Sequence, residues 1–140
     1  MPRLRWLALA GLCAITALGI ANGVTTPTQY QTRLSVRQAE RDGDALFHSP
    51  ALGTNAATCD TCHVDGGRFS HRIGDVRLPS LVGAKHLFPT VDPQGRVTTL
   101  EAQINQCIVR EMRGRPLSPS GRRMGLLDLY LRHLSRFHER

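Results

Sequence analysis

The stretch Cys59-Asp60-Thr61-Cys62-His63 sets two thiols three residues apart and an imidazole directly after the second. Thiols and imidazoles are the soft and borderline ligands of a polypeptide, so the pentapeptide reads as a site for a transition metal or a group bonded through sulfur. Three chemistries compete for it. A thioredoxin-like dithiol needs a strand–helix–strand setting, which the flanking sequence lacks. A zinc ion could take Cys59, Cys62, His63 and the distant Cys107, but zinc ribbons bring a second close pair. The third is the C-x-x-C-H pattern of c-type haem attachment. On one turn of helix both thiols reach the vinyl groups of a single haem, and His63 falls beneath the iron as proximal ligand. One covalently attached haem c, held by Cys59, Cys62 and His63, is therefore expected.

The N-terminus agrees with that chemistry. Arg3 and Arg5 precede an apolar run over residues 6–20, and Ala21-Asn22-Gly23 offers a small-residue cleavage site. Residues 1–23 read as an export signal. The run is short of the roughly 20 residues a membrane span needs, so cleavage is expected, with an uncleaved anchor as the alternative and the sole route to a membrane. Covalent haem attachment takes place outside the bacterial cytoplasmic membrane, which makes the expected location periplasmic. Cys13 lies within the signal, after Leu12 rather than the small residue of a lipoprotein. The mature chain then carries three cysteines, Cys59, Cys62 and Cys107, an odd count that does not suit a disulfide framework.

A chain of 140 residues with 41% apolar and 5% aromatic content builds one small domain with a thin core, which a prosthetic group would complete. The formal charge is +7, nearly all from arginine, since Lys85 is the one lysine. The arginines are scattered and no nucleic-acid motif is present, so nucleic acid is set aside. An acidic redox partner protein or a small anion fits instead.

The elements that must position the site read as helices joined by long loops. Residues 24–35 read as an extended lead-in, and residues 36–140 as the haem domain. A first helix is expected over about 36–48, with Ser35 and Gln38 as a capping box and Gly43 marking a close helix crossing. Residues 64–99, rich in Gly, Pro and Asp, read as mostly loop without strand alternation, long enough to wrap around something. A second helix is expected over 99–112, capped by Thr98 and Glu101 and ended by Gly114 and Pro116. A third is expected over about 121–137, where Met124, Leu127, Tyr130, Leu131 and Leu134 form a core face. The fold class is all-α.

The iron needs a sixth ligand. Met112 and Met124 are the methionine candidates, and His48, His71, His86, His133 and His138 would give a bis-histidine site. Cys107 is a further candidate. Leu100, Ile104, Cys107 and Ile108 fall within about one third of a helix circumference, which directs the thiol toward the core. An inert buried thiol or a disulfide to another chain would satisfy the same pattern.

Leu87-Phe88-Pro89, Gly95-Arg96-Val97, Leu100-Glu101, Ile104-Asn105, Cys107 and Gly114-Arg115-Pro116-Leu117 together resemble the haem domains of thiosulfate dehydrogenases. More loosely, the chain is similar to the A subunit of the Sox thiosulfate-oxidising cytochrome. Arg41-x-Gly43 and Leu46-Phe47 look like the general first helix of a cytochrome c. The resemblance covers about residues 36–134 and implies a class I-like cytochrome c fold. It implies His63 and Cys107 as the axial ligands of one haem. It also implies an arginine four residues before the ligand cysteine and a serine four residues after it, where this chain has Gln103 and Glu111. Those enzymes carry two haems, and this chain has one C-x-x-C-H. The expected function is single-electron transfer in thiosulfate oxidation. An enzyme acting on sulfur anions at Cys107, helped by Arg110 or Arg113, is the alternative, and a haem-based redox sensor a lower one.

Overall fold

The computed structural model describes residues 27–136. The expected signal, Cys13 and His138 lie outside them. Helix α1 spans Pro27–Phe47, so residues 27–35 are helical and not the extended lead-in expected. Pro27 opens the helix, where its missing N–H costs nothing. Glutamines and arginines, good helix formers, carry its first turns through solvent, and residues 31–38 are all exposed. Ser35 is no cap: its hydroxyl donates to the Gln31 carbonyl at 3.0 Å. Gln38 instead bonds Asp42 and Arg41 along the helix surface.

The buried end of α1 crosses α4 (Arg122–Ser135). Gly43 permits the crossing: a Cβ there would lie 2.2 Å from the Leu126 carbonyl oxygen and 2.9 Å from the Tyr130 Cβ. Next to it, the Phe47 and Tyr130 rings sit 5.1 Å apart. Leu127, Tyr130, Leu131 and Leu134 of α4 join Phe47, Leu52, Ile108 and Met112 in one apolar cluster. The core face expected for the last helix is thus observed, with Met124 also buried.

Between these helices lie α2 (Cys59–Cys62), a single turn, and α3 (Leu100–Arg110). The intervening segment is not wholly loop. It holds two antiparallel hairpins, β1 (His71–Ile73) with β2 (Val76–Leu78), and β3 (Thr90–Val91) with β4 (Val97–Thr98). Their strands are short and mostly exposed on both faces, so no burial alternation marked them. The cap of α3 is Thr99, one residue later than expected, whose hydroxyl accepts from the Ala102 N–H at 3.2 Å. The helix ends where Arg113 turns left-handed and the Gly114 N–H bonds back to the Ile108 carbonyl at 2.9 Å. The fold is mainly helical, as expected. Among the described residues no helix is long and apolar enough to cross a membrane.

Candidate haem site

Thr58 and Thr61 close a reciprocal capping box around the Cys59–Cys62 turn, which fixes both cysteines on one short helix. His63 caps that turn, its N–H bonded to the Cys59 carbonyl at 3.0 Å. Asp60 accepts from the Gly66 N–H at 2.6 Å, and its charge adds to the rise of the Cys59 thiol. The Tyr130 hydroxyl donates to the Gly66 carbonyl at 2.8 Å, tying the loop after His63 to α4. The Leu81 N–H meets the Gly67 carbonyl at 2.7 Å and brings the residue 79–82 segment beside the imidazole.

Cys107 reaches the same place from α3. Two segments in contact set its distance from the cysteine pair. The Thr54 N–H donates to the Met112 carbonyl at 2.9 Å, the Thr54 hydroxyl to Arg113 at 3.0 Å, and the Asn55 amide to Glu111 at 2.7 Å. A Cβ on Gly114 would lie 1.9 Å from the Leu52 carbonyl oxygen, so only glycine allows that approach. Asn105 pins the far side of α3, exchanging two bonds with the Leu117 backbone at 2.9 and 2.7 Å. These asparagine clamps were not assigned from the sequence. The sign for Asn105 is an asparagine, a poor helix former, inside a helix; Asn55 lies in a bend and carries no such sign.

Cys59, Cys62 and Cys107 are all half-buried and all free thiols. Burial pushes the Cys59 thiol up to about 11, and the nearby Cys107 and Cys62 add to the rise. Burial also raises Cys107, opposed by the Gln103 amide 3.9 Å from its sulfur and reinforced by Glu111 and Cys62. The three thiols are therefore close enough for charge on one to be felt by the others. Burial lowers the His63 imidazole, which keeps the ring neutral with a lone pair to donate. Its Nδ1 is buried without a bond of normal geometry. The Pro79 carbonyl is the acceptor that acts on the ring, raising its pKa by less than burial lowers it.

The donor set fits a haem better than a bare ion. Among the described residues no three His, Cys, Asp or Glu side chains converge as a metal-ion cage, which the zinc alternative requires. Two thiols on one turn, an adjacent neutral imidazole and a third thiol from a facing helix suit a flat group lying between them.

The other candidates are placed elsewhere. Met112 and Met124 are 3% and 1% exposed and lie buried among the core residues. Ile108 is the fully buried residue of α3, and Cys107 is half-buried like Leu100 and Ile104 on the same stripe. His48 lies 3.4 Å from both Asp44 and Asp60, and His133 lies 3.4 Å from Glu40. His71 and His86 are exposed on the hairpin and loop. Arg110 and Arg113 are exposed; Arg110 lies three residues, just under one turn, beyond Cys107 on α3, and Arg113 lies past the end of the helix.

No curated protein matches the chain. Among solved structures, thiosulfate dehydrogenase (TsdBA) from Marichromatium purpuratum in its as-isolated form is similar in fold, with a TM-score of 0.58 at 20% identity. The match covers 71% of this chain and 23% of that one, so the chain spans about a quarter of its length. The model of the SoxA/TsdA cytochrome c domain matches residues 42–139, which takes in the C-x-x-C-H turn, the clamps and Cys107. A cytochrome c domain implies haem c, and the fold is the class I-like one expected; the chain belongs to the SoxA/TsdA cytochrome c domain family, a family of sulfur-oxidation cytochromes.

Proposed function

We propose that this chain is an exported, single-haem c-type cytochrome that passes single electrons during the oxidation of sulfur compounds such as thiosulfate. The observation that carries the reading is the approach of Cys107, on α3, to the Cys59–Cys62 turn that His63 caps. In this reading Cys59 and Cys62 would hold the haem covalently through their sulfurs, and His63, with its neutral ring, and Cys107 would hold the iron. The haem iron supplies one-electron Fe(III)/Fe(II) exchange. The chain's part is to hold both ligands at fixed separation through the clamps on Glu111, Met112 and Arg113. A thiolate donates charge and favours the ferric state, which suits a low-potential carrier. Export to the periplasm is read from residues 1–23 and from where haem c is attached.

Gln103 and Glu111 favour a carrier over an enzyme. Gln103 offers Cys107 a neutral amide, and Glu111 adds negative charge near the sulfur, which opposes an incoming anion. The half-exposure of Cys107 is what an oxidoreductase acting on thiosulfate would need, with Arg110 and Arg113 as the nearest exposed cations along the chain.

Electron paramagnetic resonance of the ferric protein tests the ligation. A low-spin thiolate signature is expected in the wild type and its loss in Cys107→Ala; an unchanged signal refutes Cys107 as ligand. Thiosulfate added to the isolated ferric protein separates the functions. Absence of haem reduction, with rapid electron exchange from a reduced partner, is the carrier result, and prompt reduction by thiosulfate is the enzyme result.

A further inference from the structure

We infer that the groove between α1 and α4 is the docking face for an acidic electron-transfer protein, an inference that rests on the carrier reading above. Arg33, Arg37 and Arg41 follow at four-residue spacing and form one stripe along α1. All three are exposed, as is Arg68 on the same groove, whose volume is about 660 Å³. The carboxylates there are already engaged. Glu40 pairs with Arg136 and lies 3.4 Å from His133, and Asp44 lies 3.4 Å from His48. Among the described residues, Arg33, Arg37, Arg41 and Arg68 have no carboxylate within ion-pair distance. Arg41 donates to the Gln38 amide oxygen at 2.6 Å, and Arg68 to the Asp65 carbonyl at 3.1 Å. Like charges one turn apart on a helix repel, so the stripe costs the free protein stability. It also projects a positive field from a concave face, which an acidic surface would neutralise.

Spacing selects the occupant. Arg33 and Arg41 are about 12 Å apart along the helix axis, by the rise per residue of an α-helix. Small anions are held by guanidiniums converging on one point, whereas this row matches carboxylates spread over a protein surface. The groove also adjoins the haem motif. Tyr130, which lines it, donates to the Gly66 carbonyl, and Gly66 donates to Asp60 within the C-x-x-C-H turn. A partner seated there lies against the loop that follows His63.

Photoreduced flavodoxin, an acidic low-potential donor, is the probe, with stopped-flow reduction of the ferric holoprotein as the readout. Arg33→Gln/Arg37→Gln/Arg41→Gln is expected to lose about 10-fold or more in second-order rate at low ionic strength and to show a flatter salt dependence. Arg72→Gln/Arg77→Gln/Arg115→Gln removes the same charge from exposed arginines off the groove and is expected to lose less than about 2-fold. Equal losses in the two variants overturn the inference, because net charge alone would then set the rate. Unchanged flavodoxin rates with weakened binding to phosphatidylglycerol vesicles also overturn it and assign the stripe to a membrane surface. A neutral flavin semiquinone separates the two levels of the argument. Its reduction of every variant at the wild-type rate confines any failure to docking, while its inability to reduce the wild-type protein overturns the carrier reading itself.

Discussion

One turn before Cys107 on α3, the Gln103 amide lies 3.9 Å from the sulfur as a donor. A donor at that distance draws electron density from a thiolate and, with Cys107 on the iron as proposed, would weaken its donation. Gln103→Leu is therefore expected to lower the haem potential, read by redox titration, while Cys107→Met raises it by on the order of 100 mV or more. The haem-free chain gives the same contact a second readout. Gln103 is the group that lowers the Cys107 thiol, against burial and Glu111. Its loss moves the pKa further up, so less thiolate is present near pH 9, the usual value, and alkylation of Cys107 slows there. At this scale the sequence was legible where the chemistry is local. C-x-x-C-H carries its geometry in five residues, whereas the partner of Asn105 lies 12 residues away at Leu117 and no spacing rule points to it.

Two close approaches hold the helices and the clamp. Gly43→Ala would drive a methyl into the Leu126 carbonyl, and Gly114→Ala would do so at Leu52. Each is expected to destabilise the holoprotein by about 1–3 kcal/mol or more, measured by denaturant unfolding. Gly114→Ala should in addition perturb the haem spectrum, because it displaces the end of the ligand helix, and Gly43→Ala should leave the spectrum in place. The β3–β4 turn responds to pH. Asp92 accepts from the Gln94 and Arg96 N–H groups and the Arg96 side chain, which together hold its carboxyl below the usual value. A depressed carboxyl stabilises the turn at neutral pH and stops doing so as pH falls through its folded pKa. Gln94 and Arg96 amide shifts are expected to move in that acid range in the wild type and to stay flat in Asp92→Asn, followed by NMR. Helix interiors and ends were readable because Gly43, Gly114 and the apolar face of α4 act within their own element. The start of α1 was not, since its polar residues form helix in solvent without a buried face to mark it. The hairpins were hidden for the same reason: their strands bury almost nothing.

The whole molecule divides into a packed part and a part with little to pack against. The α1–α4 crossing, Ile108 and Met112 supply the apolar core, and among the described residues all ten buried hydrophobics except Ala84 lie outside residues 64–99. Within that segment Phe69, Val76, Leu87, Val91 and Val97 are 61–69% exposed. A segment with so few buried contacts opens at low free-energy cost unless another surface covers it. His63 precedes the segment directly and Cys107 follows it by eight residues, so a haem held by both, as proposed, would close the loop that contains it. Cys59→Ser/Cys62→Ser, which removes both thioether positions, is expected to retain helical circular dichroism from α1 and α4. In the same variant, amide hydrogen exchange over residues 64–99 is expected to quicken at least about 10-fold, while residues 39–47 and 124–135 change little. Uniform quickening across the chain would mean that the crossing cannot stand without haem. Unchanged exchange over 64–99 would mean that the hairpins hold their own structure, and that attachment organises the two ligands and nothing more.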